Sequence, residues 1–281
     1  MNSPIISAAQ LRQQIDSDTV VLDCRFSLSD TTLGIKQYLA GHIPGAYYFS
    51  LDHHLSGPVR EHGGRHPLPN AELFSEELRA AGVNNDTRVV VYDSTKFGFA
   101  ARAWWLIRYL GHQNVAVLDG GYQAWKSAYF PIDRRQPAAR HGLFKPTIQK
   151  SWVLDAGDVR NRVADKSAIL VDSREEKRYL GIEEPIDPIA GHIPGALNYP
   201  WQGVTDDYGY IKSEREQKAR WKDLPANKEI VVYCGSGVTA CVNLLSMAIA
   251  GRTAKLYPGS WSDWCTYEVL PKAVFAQKVV P

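Results

Sequence analysis

One short loop carries residues whose types and spacing could do chemistry, Cys234-Gly-Ser-Gly-Val-Thr239. An apolar run ends just before it at Tyr233, and an apolar helical pattern begins just after it at Ala240. Its two glycines let successive backbone N–H groups turn inward as an anion-binding concavity, which the N-terminus of the following helix reinforces. Because the thiolate is the nucleophilic form of cysteine, we predict that Cys234 is a nucleophile held as an anion. The loop residues expected to bind its substrate are Gly235, Gly237, Val238 and Thr239.

Other interpretations of this loop have less support. A structural cysteine beside an ordinary glycine turn would need no chemistry at all. A tyrosine-phosphatase cradle needs an arginine six residues after the cysteine to bind phosphoryl oxygens, and that position is Ala240. An acyl-transfer enzyme would pair the thiol with a histidine, and His192 could serve, although nothing in the spacing demands it.

The elements that must position this loop are predicted to occur twice in the 281 residues. The evidence is that Ala-Gly-His-Ile-Pro-Gly-Ala appears unchanged at 40–46 and 190–196. Three further matches occur in the same order, which indicates a duplication. They pair Asp23-Cys-Arg25 with Asp172-Ser-Arg174, 88–92 with 229–233, and 119–125 with 258–264.

Within each copy, continuous β-branched runs alternate with helical patterns, which predicts parallel strands covered by helices on both faces, an α/β fold. The proline-containing segment from Tyr129 to Pro146 is predicted to be the linker. We therefore expect an N-terminal domain over 1–140 and a C-terminal domain over 150–281. Only the second carries the nucleophile, since the first has Asp93-Ser-Thr-Lys96 at the corresponding loop.

Composition limits the kinds of partner. The 32 basic and 30 acidic residues leave a formal charge of +2, with no basic run that favours nucleic acid. No apolar stretch approaches the roughly 18 residues of a membrane span, and residues 1–14 lack the pattern of a secretory signal. The other cysteines, Cys24, Cys241 and Cys265, form no Cys-x2-Cys pair, so no metal site is expected. We predict a cytoplasmic protein that binds neither nucleic acid nor membrane.

Together, the doubled Gly-His-Ile-Pro-Gly-Ala, the Asp-x-Arg, the Cys234 loop and the Gly259-Ser-Trp-x2-Trp264 ending resemble the tandem-domain rhodanese superfamily. The resemblance covers nearly the whole chain. It implies two rhodanese-like domains, each a five-stranded parallel sheet flanked by helices, of which only the C-terminal one is catalytic. It also implies a sulfurtransferase that carries sulfur as a Cys234 persulfide, at a site between the domains. No metal or organic cofactor is expected, because the protein itself carries the sulfur.

The residues that carry the resemblance match two branches of the family, which use different sulfur donors. The loop sequence Cys-Gly-Ser-Gly-Val-Thr is that of the branch using 3-mercaptopyruvate, whereas the thiosulfate branch has Cys-Arg-Lys-Gly-Val-Thr. The mercaptopyruvate branch also tends to have two arginines nine residues apart to bind the carboxylate. Arg178 matches the first, but Asp187 takes the place of the second, as in the thiosulfate branch. We give the loop more weight and expect 3-mercaptopyruvate, with thiosulfate as the alternative.

The resemblance also implies a proton relay. Ser236 is the hydroxyl best placed for it, and its histidine partner is expected to be His42, in the first His-Ile-Pro-Gly. The acidic partner of that histidine does not map onto one residue. The acceptor could be cyanide, a small thiol or a protein thiol, so a persulfide carrier for another protein remains an alternative. A non-catalytic interaction domain is disfavoured by the intact Cys234 loop.

Overall fold

The computed structural model describes residues 3–15 and 18–273. The last eight residues of the predicted C-terminal domain, 274–281, lie outside the described residues, as do 1–2 and 16–17. In the first half, β1 is Ile5–Ile6, α1 Ala8–Gln14, β2 Thr19–Asp23, α2 Leu33–Ala40, β3 Tyr47–Tyr48, α3 Ala71–Ala80, β4 Arg88–Tyr92, α4 Ala100–Tyr109, β5 Val115–Leu118 and α5 Gly121–Ser127. The strands form one parallel sheet in the order β1-β5-β4-β2-β3.

The second half repeats this arrangement. Its elements are α6 Ala156–Asp165, β6 Ala168–Asp172, α7 Glu176–Tyr179, β7 Leu197–Asn198, α8 Glu214–Arg220, β8 Glu229–Tyr233, α9 Ala240–Ile249, β9 Lys255–Leu256 and α10 Ser260–Trp264, with short 3₁₀ turns at Lys150–Trp152 and Trp201–Val204. The parallel strands follow the order β7-β6-β8-β9. The predicted α/β class with two parallel sheets is confirmed.

The strand count differs from the prediction in the second domain. The N-terminal sheet has the expected five strands, whereas the described part of the C-terminal sheet has four. A single parallel bridge between Val153 and Leu256 stands where β1 pairs with β5 in the other domain. In the described residues, the chain before α6 thus pairs with the sheet edge through one bridge, which is too short to form a strand.

The two domains share a core built on α4 and α9. Residues 100–107 of α4 and 240–247 of α9 are all buried, and their apolar side chains belong to one continuous cluster. A helix that is apolar on every side is stable only when it is covered on every side. These two helices are covered because each lies between its own sheet and the other domain. Since α9 follows the Cys234 loop directly, this packing fixes the loop against the N-terminal domain.

The segment predicted as a linker packs along the first domain. Phe144 is buried, and the N–H groups of Arg140, Gly142 and Phe144 donate hydrogen bonds to carbonyl oxygens at the end of α3 and just beyond it. The domain boundaries at 140 and 150 remain a prediction. Within the described residues, no helix has the length and apolar character needed to cross a membrane.

Candidate active site between the two domains

Cys234 lies at the carboxyl end of β8, where the chain leaves the sheet and enters α9. Its N–H donates to the hydroxyl of Ser260 at 3.1 Å, and its carbonyl oxygen accepts from the N–H of Trp261 at 3.0 Å. The residue is buried, with 2% of its surface exposed. Both backbone groups are therefore held by the start of α10, which fixes the direction of the side chain.

The rest of the loop is held by its carbonyl oxygens. That of Gly235 accepts from the N–H of Ser262 at 2.9 Å, and that of Gly237 accepts from Arg102 Nη1 at 3.0 Å. Gly237 has φ of 74°, and a Cβ atom there would lie 2.2 Å from the carbonyl oxygen of Pro258, so only glycine fits. Among residues 3–15 and 18–273, no group accepts a hydrogen bond from the N–H groups of Ser236 or Val238. An anion held at the loop, which the sequence predicts, would have these two N–H groups as donors.

Arg102, on α4 of the N-terminal domain, places a buried positive charge behind this loop. Its guanidinium is fully buried and donates to four carbonyl oxygens, those of Leu55, His66, Pro67 and Gly237. No carboxylate in the described chain lies within 4.0 Å of it. Burial lowers the pKa of Arg102, while interaction with Cys241 and Cys234 acts in the opposite direction. A buried cation without a carboxylate partner is electrostatically suited to an anionic sulfur at Cys234.

Cys234 is the cysteine best placed for chemistry. All four cysteines are free and buried. Burial raises the pKa of Cys24, raises that of Cys241 to about 12 and raises that of Cys265 to about 11. These three thiols therefore stay protonated at neutral pH.

Ser236 is paired with His66 and not with His42. The Nδ1 atom of His66 lies 2.8 Å from Ser236 Oγ. Burial, together with the positive charges of Arg102 and Arg65, lowers the pKa of His66 to about 4. The imidazole is therefore neutral near pH 7 and can exchange a proton with the Ser236 hydroxyl.

His42 belongs to the packing of its own domain. Its Nδ1 lies 2.8 Å from the carbonyl oxygen of Tyr38, its Nε2 lies 3.2 Å from that of Arg135, and its ring stacks on Tyr38. His192 makes the matching contact with the carbonyl oxygen of Tyr179 at 2.7 Å. The prediction that His42 is the partner of Ser236 needs correction, because the His-Ile-Pro-Gly histidine fixes a helix end to a turn in both copies.

His66 reaches Ser236 because residues 62–66 cross from the first domain onto the second. The N–H of Gly63 donates to Asp263 Oδ1 at 2.7 Å, and that of Arg65 donates to Ser262 Oγ at 3.1 Å. A Cβ atom on Gly64 would lie 2.3 Å from the carbonyl oxygen of Gly259, so the approach requires glycine. We call residues 62–66 the crossing segment. The signal in the sequence is Gly63-Gly-Arg-His66, which has no counterpart in the second copy.

Arg178 lies beside the loop, as expected, and is held by acids. Its Nε and Nη2 donate to Glu184 at 2.7 to 3.2 Å, and Nη2 also donates to Asp187 at 3.0 Å. Its Nη1 lies 3.5 Å from the position that a Cβ atom on Gly235 would occupy. The predicted binding residues Arg178 and Gly235 are therefore brought together.

A cleft of about 870 Å³ opens onto Cys234 between the domains. Its C-terminal wall contains the loop with Val238 and Thr239, and its N-terminal wall contains Phe26, Leu33 and Phe99. Arg65 and Arg178 supply positive charge from the two sides. The cleft suits a small anionic molecule with an apolar part. No group of three or more His, Cys, Asp or Glu side chains in the described ranges is arranged to hold a metal ion.

In the N-terminal domain, the corresponding loop is filled by the side chain of its first residue, Asp93. The carboxylate of Asp93 accepts four backbone N–H hydrogen bonds, from Thr95, Phe97, Phe99 and Ala100. Asp93 therefore satisfies these backbone donors itself, and its carboxylate cannot act as a sulfur nucleophile.

The sequence matches the model of the rhodanese-like domain twice, over residues 7–128 and 155–267. The chain belongs to the rhodanese-like family. A protein of Pseudomonas aeruginosa curated as "Probable 3-mercaptopyruvate sulfurtransferase" is 39% identical, over 94% of this chain and 96% of the relative. A thiosulfate sulfurtransferase of Bos taurus is 32% identical, over 87% of this chain and 84% of the relative. Both relatives are curated sulfurtransferases.

Among solved structures, SseA from Escherichia coli, described as a 3-mercaptopyruvate sulfotransferase with the rhodanese fold, superposes with a TM-score of 0.81. It is 32% identical, and the match covers 93% of this chain and 100% of that chain. These likenesses confirm the predicted tandem rhodanese fold and the predicted enzyme class, sulfurtransferase. Relatives named for each of the two donors match most of this chain, so the donor must be argued from the site.

Proposed function

We propose that this protein transfers a sulfur atom from 3-mercaptopyruvate to a thiophilic acceptor through a persulfide on Cys234. The proposal depends above all on the pair formed by Ser236 Oγ and His66 Nδ1, 2.8 Å apart on the Cys234 loop. A proton relay at this position favours a donor whose reaction needs a proton to be moved.

3-Mercaptopyruvate and thiosulfate differ in whether sulfur transfer requires a proton to be moved. The Cys234 thiolate attacks the sulfur of 3-mercaptopyruvate, the carbon–sulfur bond breaks, and its electron pair stays on carbon as the enolate of pyruvate. The thiol proton of the donor must leave the sulfur, and a proton must be delivered to that carbon. The products are then the Cys234 persulfide anion and pyruvate. With thiosulfate the sulfur–sulfur bond breaks, sulfite leaves with the electron pair, and no proton moves.

The neutral state of His66 supports this role. A neutral imidazole can accept the proton of Ser236 while the hydroxyl takes the proton of the donor, and the same path run in reverse can protonate the enolate carbon. The N–H groups of Ser236 and Val238, and the buried charge of Arg102 behind the loop, favour the anionic sulfur before and after transfer. Gly235, Val238 and Thr239 form the binding wall, and Arg178 binds the carboxylate. The predicted binding residue Gly237 is not part of this wall, because it packs against the carbonyl oxygen of Pro258 and shapes the loop.

Thiosulfate is a second candidate because two guanidinium groups, those of Arg65 and Arg178, face the same part of the cleft. Their charges are largely offset by Asp187 and Glu184, which reduces the preference for a dianion. The predicted cytoplasmic location and a small thiol, cyanide or protein thiol as acceptor belong to this proposal.

A donor comparison tests the proposal. Catalytic efficiency, kcat/KM, is measured for 3-mercaptopyruvate and for thiosulfate with one common acceptor. The proposal predicts a higher value with 3-mercaptopyruvate, and the variant Gly235→Arg with Ser236→Lys is expected to shift the ratio toward thiosulfate. A wild-type protein that uses thiosulfate at least as efficiently would contradict the proposed donor.

A further inference from the structure

Arg65 lies at the catalytic loop although it belongs to the other domain. Its backbone N–H is fixed to Ser262 at 3.1 Å, and its neighbour Gly64 is pressed against the carbonyl oxygen of Gly259. The Nη1 atom of Arg65 donates to Asp187, whose side chain is 1% exposed, whereas that of Arg65 is 33% exposed. The guanidinium is thus anchored on one side and open to the cleft on the other.

Two guanidinium groups converge on one point next to Cys234. A Cβ atom on Gly235 would lie 3.1 Å from Arg65 Nη2 and 3.5 Å from Arg178 Nη1. Glycine at this position leaves the space between the two groups free, and any larger side chain would fill it. The same two residues line the cleft that opens onto Cys234.

A single carboxylate holds the two cations side by side. Asp187 Oδ1 accepts from Arg65, and Asp187 Oδ2 accepts from Arg178 at 3.0 Å. Burial lowers the pKa of Arg65, and the nearby charge of Arg178 adds to that effect, as expected for two close cations. Within residues 3–15 and 18–273, Arg65 Nη2 and Arg178 Nη1 donate to no protein acceptor. These two groups therefore remain available as donors to a small oxyanion.

We infer that Arg65 is a donor-binding residue, which forms with Arg178 an oxyanion subsite that spans the two domains and takes the carboxylate of the sulfur donor. Asp187 is the positioning residue of this subsite, because it binds both guanidinium groups from behind. The inference rests on the proposed function and deepens it. It adds a residue 122 positions away from Asp187 in the chain.

This subsite gives Asp187 a different role from the one that the sequence suggests. In the sequence, an acid at position 187 removes one of two arginines that would bind a carboxylate. In the structure, the same acid holds an arginine from the other domain at the loop. The number of cations at the subsite is therefore two, although only Arg178 lies near the second His-Ile-Pro-Gly.

The test compares two donors that differ only in the anionic end. The first is 3-mercaptopyruvate, and the second is 1-mercaptopropan-2-one, which has the same thiol and ketone but a methyl group in place of the carboxylate. Both are measured with wild type, Arg65→Ala, Arg65→Lys and Arg60→Ala. Arg60 is the matched control because it is an exposed arginine just before the crossing segment.

Arg65→Ala is expected to lower kcat/KM for 3-mercaptopyruvate by about 10- to 150-fold, the range for losing one charge-assisted hydrogen bond. Most of the loss should appear in KM, because the carboxylate is bound equally in the ground and transition states. Arg65→Lys should recover part of it, since a lysine keeps the charge without the planar fork. The neutral donor should be turned over equally by wild type and Arg60→Ala, and Arg65→Ala should lower its kcat/KM much less than that of 3-mercaptopyruvate.

An equal loss with both donors would mean that Arg65 only supports the fold, and it would overturn the inference while leaving the proposed function intact. Unchanged kinetics of Arg65→Ala with 3-mercaptopyruvate would overturn it as well. A wild-type protein that takes no sulfur from 3-mercaptopyruvate would overturn the proposed function, and this inference with it.

Discussion

The two copies of the strand, loop and helix differ in which group accepts hydrogen bonds from the backbone N–H groups of the loop. In the N-terminal copy, the Asp93 carboxylate accepts four backbone N–H groups at 2.8 to 3.2 Å. In the C-terminal copy the first loop residue is Cys234, and the N–H groups of Ser236 and Val238 have no acceptor in the described part of the chain. One loop contains its own anion, and the other is left open for one.

The difference shows how a duplicated domain can lose its chemistry and keep a function. The N-terminal copy, whose loop is closed, contributes polar side chains to the site of the other copy, among them those of Arg65, His66 and Arg102. None of these three comes from its own Asp93 loop. The active site is therefore a property of the pair of domains.

The largest expected effect comes from removing the relay that only the C-terminal loop has. Ser236→Ala should lower kcat/KM for 3-mercaptopyruvate by about 10²- to 10⁴-fold, the usual contribution of positioned proton transfer. Thiosulfate serves as the control donor, because its leaving group needs no proton, and its kcat/KM should change little. A similar loss with both donors would show that Ser236 only shapes the loop.

A smaller effect, on stability, is expected when the Asp93 carboxylate that closes the N-terminal loop is replaced. Asp93→Asn replaces one acceptor oxygen by an NH₂ group, so two of the four buried N–H groups lose their partner. Each lost partner costs about 1 to 3 kcal/mol. Burial raises the pKa of Asp93, so removing the charge returns part of this cost. We expect the free energy of unfolding, measured with urea, to fall by about 2 kcal/mol.

Asp86→Asn is the control for this variant, because Asp86 is exposed in the same domain. It should leave the free energy of unfolding within about 0.5 kcal/mol of wild type. If Asp93→Asn were as stable as Asp86→Asn, the view that the N-terminal loop is closed by its own carboxylate would be wrong.

The smallest effect concerns pH. The pKa of His66 is lowered to about 4 by burial and two arginines, so its neutral form is present throughout the range above that value. The ratio of kcat/KM between wild type and His66→Gln, with 3-mercaptopyruvate, should stay constant from about pH 5.5 to pH 8. A histidine with an ordinary pKa of about 6.5 would instead make this ratio fall as the pH drops through that value. Such a fall would contradict a neutral His66.

The parts of the site predicted from the sequence are those that local structure determines. The Cys234 loop lies where a buried strand meets an apolar helix, and the duplication shows the same elements twice, so Cys234, Gly235 and Ser236 could be assigned from short segments. Arg178 was predicted from the resemblance, because it matches the first of the two arginines of the mercaptopyruvate branch.

The parts that the sequence did not predict depend on contacts between domains. His66 and Ser236 are 170 residues apart, and the crossing segment that joins them has no copy in the second half to compare with. The resemblance suggested His42 because it stands in a repeated motif. A repeated histidine, however, serves what both copies share, which here is the packing of a turn against a helix end. A residue that serves one active site should occur in one copy only, as His66 does.

The most direct test of this account is the intact mass of the protein after treatment with 3-mercaptopyruvate in the absence of an acceptor. Wild type should gain the mass of one sulfur atom, and so should Cys24→Ser, Cys241→Ser and Cys265→Ser. Cys234→Ser should gain none, because the N-terminal loop has only Asp93 at that position. Added sulfur on Cys234→Ser would place the sulfur on another residue and contradict the account.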